Sequence, residues 1–148
     1  MITNPLNLLL ADDDTDDCFI FNEALEELNM SAKLTTVNDG VQLMQLLSAN
    51  ETLLPDALFL DLNMPRKGGI ECLSEIKISD KLMKLPVIIY STSLNMEIVD
   101  LLYQKGAYYY ICKPGEFDKI KKVIFEAITL ISQNKLMQPD RDKFVLQP

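Results

Sequence analysis

A chain of 148 residues, 48% of them hydrophobic and with a formal charge of −8 from 22 acids and 14 bases, has the size of one globular domain. Its apolar runs are far too short to span a bilayer, and its acidic balance excludes non-specific affinity for nucleic acid, which rests on phosphate neutralisation by Lys and Arg. The absence of histidine excludes imidazole general-base and Ser-His chemistry within the chain.

Met1 to Asn7 lacks the basic and long apolar segments of a secretory signal, so a cytoplasmic location is expected. Leu6 to Ala11 reads as an apolar strand apart from Asn7, and it runs into Asp12-Asp13-Asp14-Thr15-Asp16-Asp17. From about Thr15 to Asn29, the residues Phe21, Ala24, Leu25 and Leu28 recur at helical spacing. Asp16 and Asp17 suit the positive end of that helix dipole. Lys33 to Val37 is a short β-type run, and Asn38-Asp39-Gly40 supplies a turn and an N-cap. Val41 to Ser48 is predicted as a second helix with Val41, Met44 and Leu47 inward.

Pro55-Asp56 opens a strand, Ala57 to Leu60, that ends at Asp61. Its unbroken apolar character fits a strand covered on both faces, and Pro65 prevents the ladder from continuing. Arg66-Lys67-Gly68-Gly69 forms a loop, and Ile70, Leu73 and Ile76 mark a third helix reaching about Ser79. Pro86 starts the strand Val87-Ile88-Ile89-Tyr90, which ends at Ser91-Thr92-Ser93. Asn95 to Lys105 reads as a fourth helix with Ile98, Leu101 and Leu102 inward and Gly106 at its C-cap. A fifth strand, Tyr108 to Cys112, stops at Lys113-Pro114-Gly115, with Tyr108, Tyr110 and Cys112 predicted on one face and Tyr109 and Ile111 on the other. The fifth helix carries Phe117, Ile120, Ile124, Ala127, Ile128 and Ile131 on one stripe, and Lys119, Lys121 and Lys122 away from it. Cys18, Cys72 and Cys112 are widely separated and odd in number, which indicates neither a disulfide framework nor a zinc site.

The βα alternation, repeated five times, predicts an α/β, flavodoxin-like doubly wound fold: a five-stranded parallel sheet in the order 2-1-3-4-5 with helices on both faces. Residues 1–133 form the expected domain. Residues 134–148 are a polar C-terminal extension with an apolar patch, Phe144-Val145-Leu146, and no effector domain is expected.

Parallel strands bring Asp12 and Asp13, Asp61, Ser91 and Lys113 to one edge of the sheet. Each taken alone is the polar residue that normally ends a strand, and Asp61 could merely cap its loop. Together they form a chemical set. Carboxylates this close raise one another's pKa unless a cation compensates, and Mg²⁺ is the hard ion that takes oxygen ligands and keeps waters. A calcium loop over Asp12 to Asp17 fails, because the mid-loop Gly and closing Glu are missing. Lys113 and the Ser91 hydroxyl can donate to phosphoryl oxygens, and Asp61 as nucleophile completes the parts phosphoryl transfer needs.

The motifs Leu10-Ala11-Asp12-Asp13-Asp14, Leu60-Asp61-Leu62-Asn63-Met64-Pro65, Gly68-Gly69, Tyr90-Ser91-Thr92-Ser93 and Lys113-Pro114 make the chain resemble a response regulator receiver domain of bacterial two-component signalling, over about Leu6 to Ile131. It looks like the stand-alone chemotaxis receivers and, more narrowly, the receivers that partner phytochromes. The resemblance implies that Asp61 is the phosphoacceptor, served by a sensor histidine kinase or a histidine phosphotransfer protein. It implies that Mg²⁺ is held by Asp13, Asp61 and the Asn63 backbone carbonyl, with Asp12 acting through a water. Lys113 and Ser91 would contact the phosphoryl group, Ser91 and Tyr110 would form the switch, and the Lys113–Pro114 bond would be cis. Chemistry would be limited to Mg²⁺-dependent self-phosphorylation and autodephosphorylation. Gly115 departs from the family, which often has an aromatic there, and Asp14, Asp16 and Asp17 read as helix-start charges rather than ligands. Output is expected by contact with a downstream protein through the face of the fourth helix, fifth strand and fifth helix, which is also available for a homodimer. The alternative is a receiver-like protein-binding module that is never phosphorylated. A flavodoxin-like redox role would want a phosphate-cradling loop where the acids stand, and a dehalogenase-type phosphatase would want Asp where Asn63 is.

Overall fold

The computed structural model describes residues 5–49, 54–133 and 137–148; residues 1–4 of the N-terminal stretch and 134–136 of the extension lie outside them. Five βα units follow one another: β1 (Leu6–Ala11) and α1 (Thr15–Glu27), β2 (Ala32–Val37) and α2 (Gly40–Ser48), β3 (Ala57–Leu60) and α3 (Gly69–Ile78), β4 (Val87–Ser91) and α4 (Met96–Gln104), β5 (Tyr109–Cys112) and α5 (Phe117–Gln133). A single 3₁₀ turn, Arg141–Lys143, then leads into β6 (Val145–Leu146). All strand pairs are parallel, in the order β2-β1-β3-β4-β5-β6.

The predicted order of the first five strands is observed, and the sheet is extended by a sixth. Every residue of β3 and β4 is buried, because helices cover both faces of a parallel sheet. The outer strand β2 alternates instead, with Lys33, Thr35 and Thr36 exposed, a polar edge that discourages pairing with another chain. Two apolar layers flank the sheet. On the α1 and α5 side, Phe21 meets Phe59 and Tyr90 edge to face, at 4.8 and 5.4 Å between ring centroids. On the other side Leu9, Leu58, Leu60 and Ile89 meet Leu43, Leu73, Ile76 and Val99.

The starts of α1, α2 and α4 are fixed by side chains the sequence makes visible. Asp14 caps α1 by accepting from the Asp16 and Asp17 N–H groups, Asp39 caps α2 through Gln42, and Asn95 caps α4 through Glu97 and Ile98. Helix phase departs from expectation in two places. α2 buries Leu43 and Leu47 while Val41 and Met44 are only half-buried, and α4 buries Val99 and Leu102 while Leu101 is exposed. A short helix with apolar residues on several adjacent positions has more than one candidate stripe, and packing against the sheet decides which faces in. Gly106, with φ +101°, closes the α4 end, where its missing Cβ leaves room for the aliphatic part of Lys77.

The extension is the larger departure. Phe144 is fully buried, 5.1 Å from the Tyr103 ring and 6.3 Å from that of Tyr110. Its carbonyl accepts from the Tyr110 N–H at 3.0 Å. Gln138 Nε2 donates to the Tyr103 and Ala107 carbonyls at 2.7 Å each, closing the C-terminal end of α4. The Tyr103 hydroxyl donates to the Pro139 carbonyl at 2.7 Å, and Arg141 pairs with Asp100 at 2.7 Å. Tyr108 precedes β5 and joins the α1/α5 layer, whereas Tyr110 and Cys112 belong to the opposite one, so the three do not share a face. The cis Lys113–Pro114 bond is not observed: no cis peptide occurs among the described residues, and the trans isomer already delivers the Lys113 side chain to the acids. No helix among the described residues is long and apolar enough to cross a membrane.

Candidate functional site: an acidic cleft at the carboxyl ends of the strands

Asp12 follows β1 directly and is fully buried. Its N–H donates to the Val37 carbonyl at 3.0 Å, and its Oδ1 accepts from the Asp14 N–H at 3.0 Å. Asp13, one residue on, is exposed. Asp61 follows β3, is 6% exposed, and is tied across the sheet by its N–H to the Ala11 carbonyl at 2.9 Å. Carboxylate oxygens of Asp12, Asp13 and Asp61 lie within 4.8 Å of one another. Lys113, just past β5, donates its own N–H to the Ser91 carbonyl at 2.7 Å. Its Nζ reaches Asp12 Oδ2 at 2.7 Å and Asp17 Oδ2 at 2.8 Å, and stands 3.8 Å from Asp61 Oδ2.

These contacts set the local electrostatics. Burial pushes the Asp61 carboxyl up out of the ordinary carboxylate range, the Asp12 charge pushes it further, and Lys113 and the Asn63 N–H only partly oppose them. Burial would lower the Lys113 ammonium, but its bonds to Asp12 and Asp17 outweigh that and hold it above the usual lysine range. Among the described residues, Asp12, Asp13 and Asp61 share the cleft with the Lys113 ammonium, which Asp17 engages as well. A hard divalent cation with oxygen ligands matches that imbalance.

The loop that follows Asp61 is held by packing. Arg66 adopts a positive φ of 66°, and its guanidinium takes Asp39 bidentately, with Nε and Nη2 at 3.1 and 3.0 Å from Oδ2 and Nη2 at 3.2 Å from Oδ1. Gly69 lies so close to the strand end that a Cβ there would sit 2.3 Å from the Asp61 carbonyl oxygen and 2.9 Å from Leu62 Cα. Gly69→Ala is therefore expected to displace this loop and cost about 1–3 kcal/mol, read as a lowered urea midpoint; an unchanged midpoint would show that the loop yields freely.

Ser91 and Tyr110 both meet Ser93 in the loop between β4 and α4. Ser91 is buried, and its Oγ lies 3.4 Å from Ser93 Oγ and accepts at 3.4 Å from the Ser93 N–H. Tyr110 is fully buried, and its hydroxyl donates to the Ser93 carbonyl. Asn63 is exposed and meets Asp61 through its N–H. Sequence reasoning missed Asp17 as a partner of Lys113, although Asp17 lies in the first turn of a helix that starts at this same edge. It also missed the Arg66–Asp39 pair, which carries no sequence signal across 27 positions.

The chain belongs to the response regulator receiver domain family, which matches residues 8–125. Phosphorylation on an aspartate is general for that family, and the chain is a receiver-domain response regulator. It is 29% identical over 124 residues to the response regulator Rcp1 of Synechocystis sp., covering 81% of this chain and 84% of Rcp1. It is 29% identical over 126 residues to a probable methanogenesis regulatory protein, FilR2, of Methanothrix harundinacea, covering 83% and 81%. Among solved structures it resembles the phosphorylated cyanobacterial phytochrome response regulator RcpA, with a TM-score of 0.78, 28% identity and coverage of 92% and 99%. It likewise resembles the Mn²⁺-bound form of Rcp1, with a TM-score of 0.76, 27% identity and coverage of 91% and 99%.

Proposed function

We propose that Asp61 is the phosphoacceptor, taking a phosphoryl group from a phosphohistidine on a sensor histidine kinase or a histidine phosphotransfer protein. The observation that carries this reading is the convergence of Asp12, Asp13, Asp61 and Lys113, from three different strand ends, on one cleft. In this reading an Asp61 carboxylate oxygen attacks phosphorus in line, the bond to the donor nitrogen breaks, and the imidazole departs with the electron pair. Asp13, Asp61 and the Asn63 backbone carbonyl would hold Mg²⁺, with Asp12 serving it indirectly, and the ion would supply charge neutralisation for the phosphoryl oxygens. Lys113 pairs with one of those oxygens. The Ser91 hydroxyl leaves Ser93 for another, and because Tyr110 is bonded to the Ser93 carbonyl, motion of the β4–α4 loop reaches β5. In this reading the cleft also serves autodephosphorylation, and a sensor kinase partner implies a cytoplasmic location.

The output face needs correction. Tyr110 and Tyr108 are buried, and β6 with Phe144 covers the outer edge of β5, so β5 offers little surface to a homodimer or a target. Exposed apolar area lies instead along α4 and the loop before it, at Leu94, Met96 and Leu101, which are 49%, 55% and 36% exposed. The reading therefore places the downstream protein contact, or a second copy, on α4.

Incubation with acetyl phosphate and Mg²⁺ tests it. The expected result is an acid-stable, base-labile mass increase that Asp61→Asn abolishes. A chain that takes up no phosphoryl group would instead be the protein-binding module that never uses its cleft.

A further inference from the structure

The ammonium of Lys113 has three N–H groups and two fixed partners, Asp12 at 2.7 Å and Asp17 at 2.8 Å. It stands 3.8 Å from Asp61, beyond hydrogen-bond reach. The two partners are not equivalent. Asp12 belongs to the triplet with Asp13 and Asp61, so a cation in the cleft competes with Lys113 for it. Asp17 stands outside that triplet. It is carried by the first turn of α1, where its N–H is held by Asp14 Oδ1 at 3.2 Å, and its side chain is 29% exposed.

We propose that Asp17 is a positioning residue for phosphoryl transfer: it holds the Lys113 ammonium off Asp61, leaving room for a phosphoryl oxygen between them, and retains it when Asp12 is drawn to a cation. The inference rests on the reading of Asp61 as phosphoacceptor. Without Asp17 the ammonium, which also lies 5.3 Å from the centroid of the Tyr90 ring, keeps only carboxylates of the cleft as hydrogen-bond partners among the described residues. It then closes the 3.8 Å gap and pairs with Asp61 directly. Such a pair engages the attacking lone pair and occupies the space of the phosphoryl oxygen that Lys113 should meet. A charge fixed beforehand where negative charge will develop is worth more than one that must first break another contact.

The test uses the 148-residue chain with acetyl phosphate and Mg²⁺, comparing wild type, Asp17→Asn, Lys113→Ala and the double variant. Asp17→Asn keeps the side-chain shape. The expected result is a fall of about fivefold or more in maximal phosphorylation rate. The half-saturating acetyl phosphate concentration should stay within about twofold, since uniform binding is untouched. In the Lys113→Ala background, adding Asp17→Asn should change the rate by less than about twofold, because the two residues act as one unit. Melting curves, with Asp17→Ser as a second variant, separate a folding defect from a lost anchor. A wild-type rate in folded Asp17→Asn overturns the inference, as does an equal loss with Lys113 absent. Failure of the wild type to accept phosphoryl at all would sink the underlying assignment of Asp61 instead, and the anchor with it.

Discussion

Replacing Asp61 by asparagine is expected to abolish phosphoryl uptake and, at the same time, to make the unphosphorylated protein more stable at neutral pH. The first effect is chemical: a carboxamide offers no carboxylate oxygen to attack phosphorus. The second follows from the cleft. Burial and the Asp12 charge raise the Asp61 carboxyl above its ordinary range, so the folded chain keeps a proton that the unfolded chain has released. With more protons bound in the folded state, stability falls as pH rises from about 4 towards neutrality. Asparagine removes that slope, for a gain on the order of 1–3 kcal/mol at neutral pH. Urea unfolding of wild type and Asp61→Asn at acidic and neutral pH, without added divalent cation, checks it. The two proteins should converge on acidification, and a difference that stays constant with pH would remove the electrostatic explanation. Added Mg²⁺ should narrow the neutral-pH gap, because only wild type supplies the full set of acids.

Phe144→Ala should destabilise the fold by about 3–5 kcal/mol, an unusual cost for a residue beyond the five predicted βα units. The side chain is fully buried against Tyr103 and Tyr110, and its backbone supplies the partner of the Tyr110 N–H. Deleting residues 137–148 goes further. It removes the Gln138 cap from α4 and the Arg141–Asp100 pair, and leaves β5 as an unpaired apolar edge, a template for association. Urea midpoints and light scattering read the two consequences. A truncated chain that unfolds at the wild-type midpoint and stays monomeric would show that the extension only decorates the sheet.

The site was more legible than its surroundings. Apolar runs that end at Asp12, Asp61, Ser91 and Lys113 can be read directly, because parallel strands of similar length deliver their last residues to one edge. The fold followed from the same alternation. Helix phase did not: Leu101 looked inward because its neighbour Leu102 is, and only the contacts of Val99 decide the rotation. β6 was hidden because two residues, Val145 and Leu146, carry no period. What holds them is Phe144 wedged between rings from α4 and β5; the apolar patch is visible in the sequence, but its place beside β5 is a tertiary fact. Asp17 suits the helix dipole, but a first-turn carboxylate also faces whatever the neighbouring strand ends present, here Lys113.

The hydrogen bond from Tyr110 N–H to the Phe144 carbonyl makes one amide proton a gauge of the extension. The Tyr108 N–H is held within the sheet by Val87 at 2.8 Å, so its exchange with solvent reports opening of the sheet itself. The Tyr110 amide, by contrast, is released when residues 144–146 alone come away. Comparing the two exchange rates gives the free energy of a sub-global opening separately from that of global unfolding. Tyr110 is also joined to the β4–α4 loop through Ser93. Any change at Ser91 that alters the protection of this amide but not that of Tyr108 measures the coupling between the acidic cleft and residues 144–146, and linkage requires the coupling to run equally in both directions.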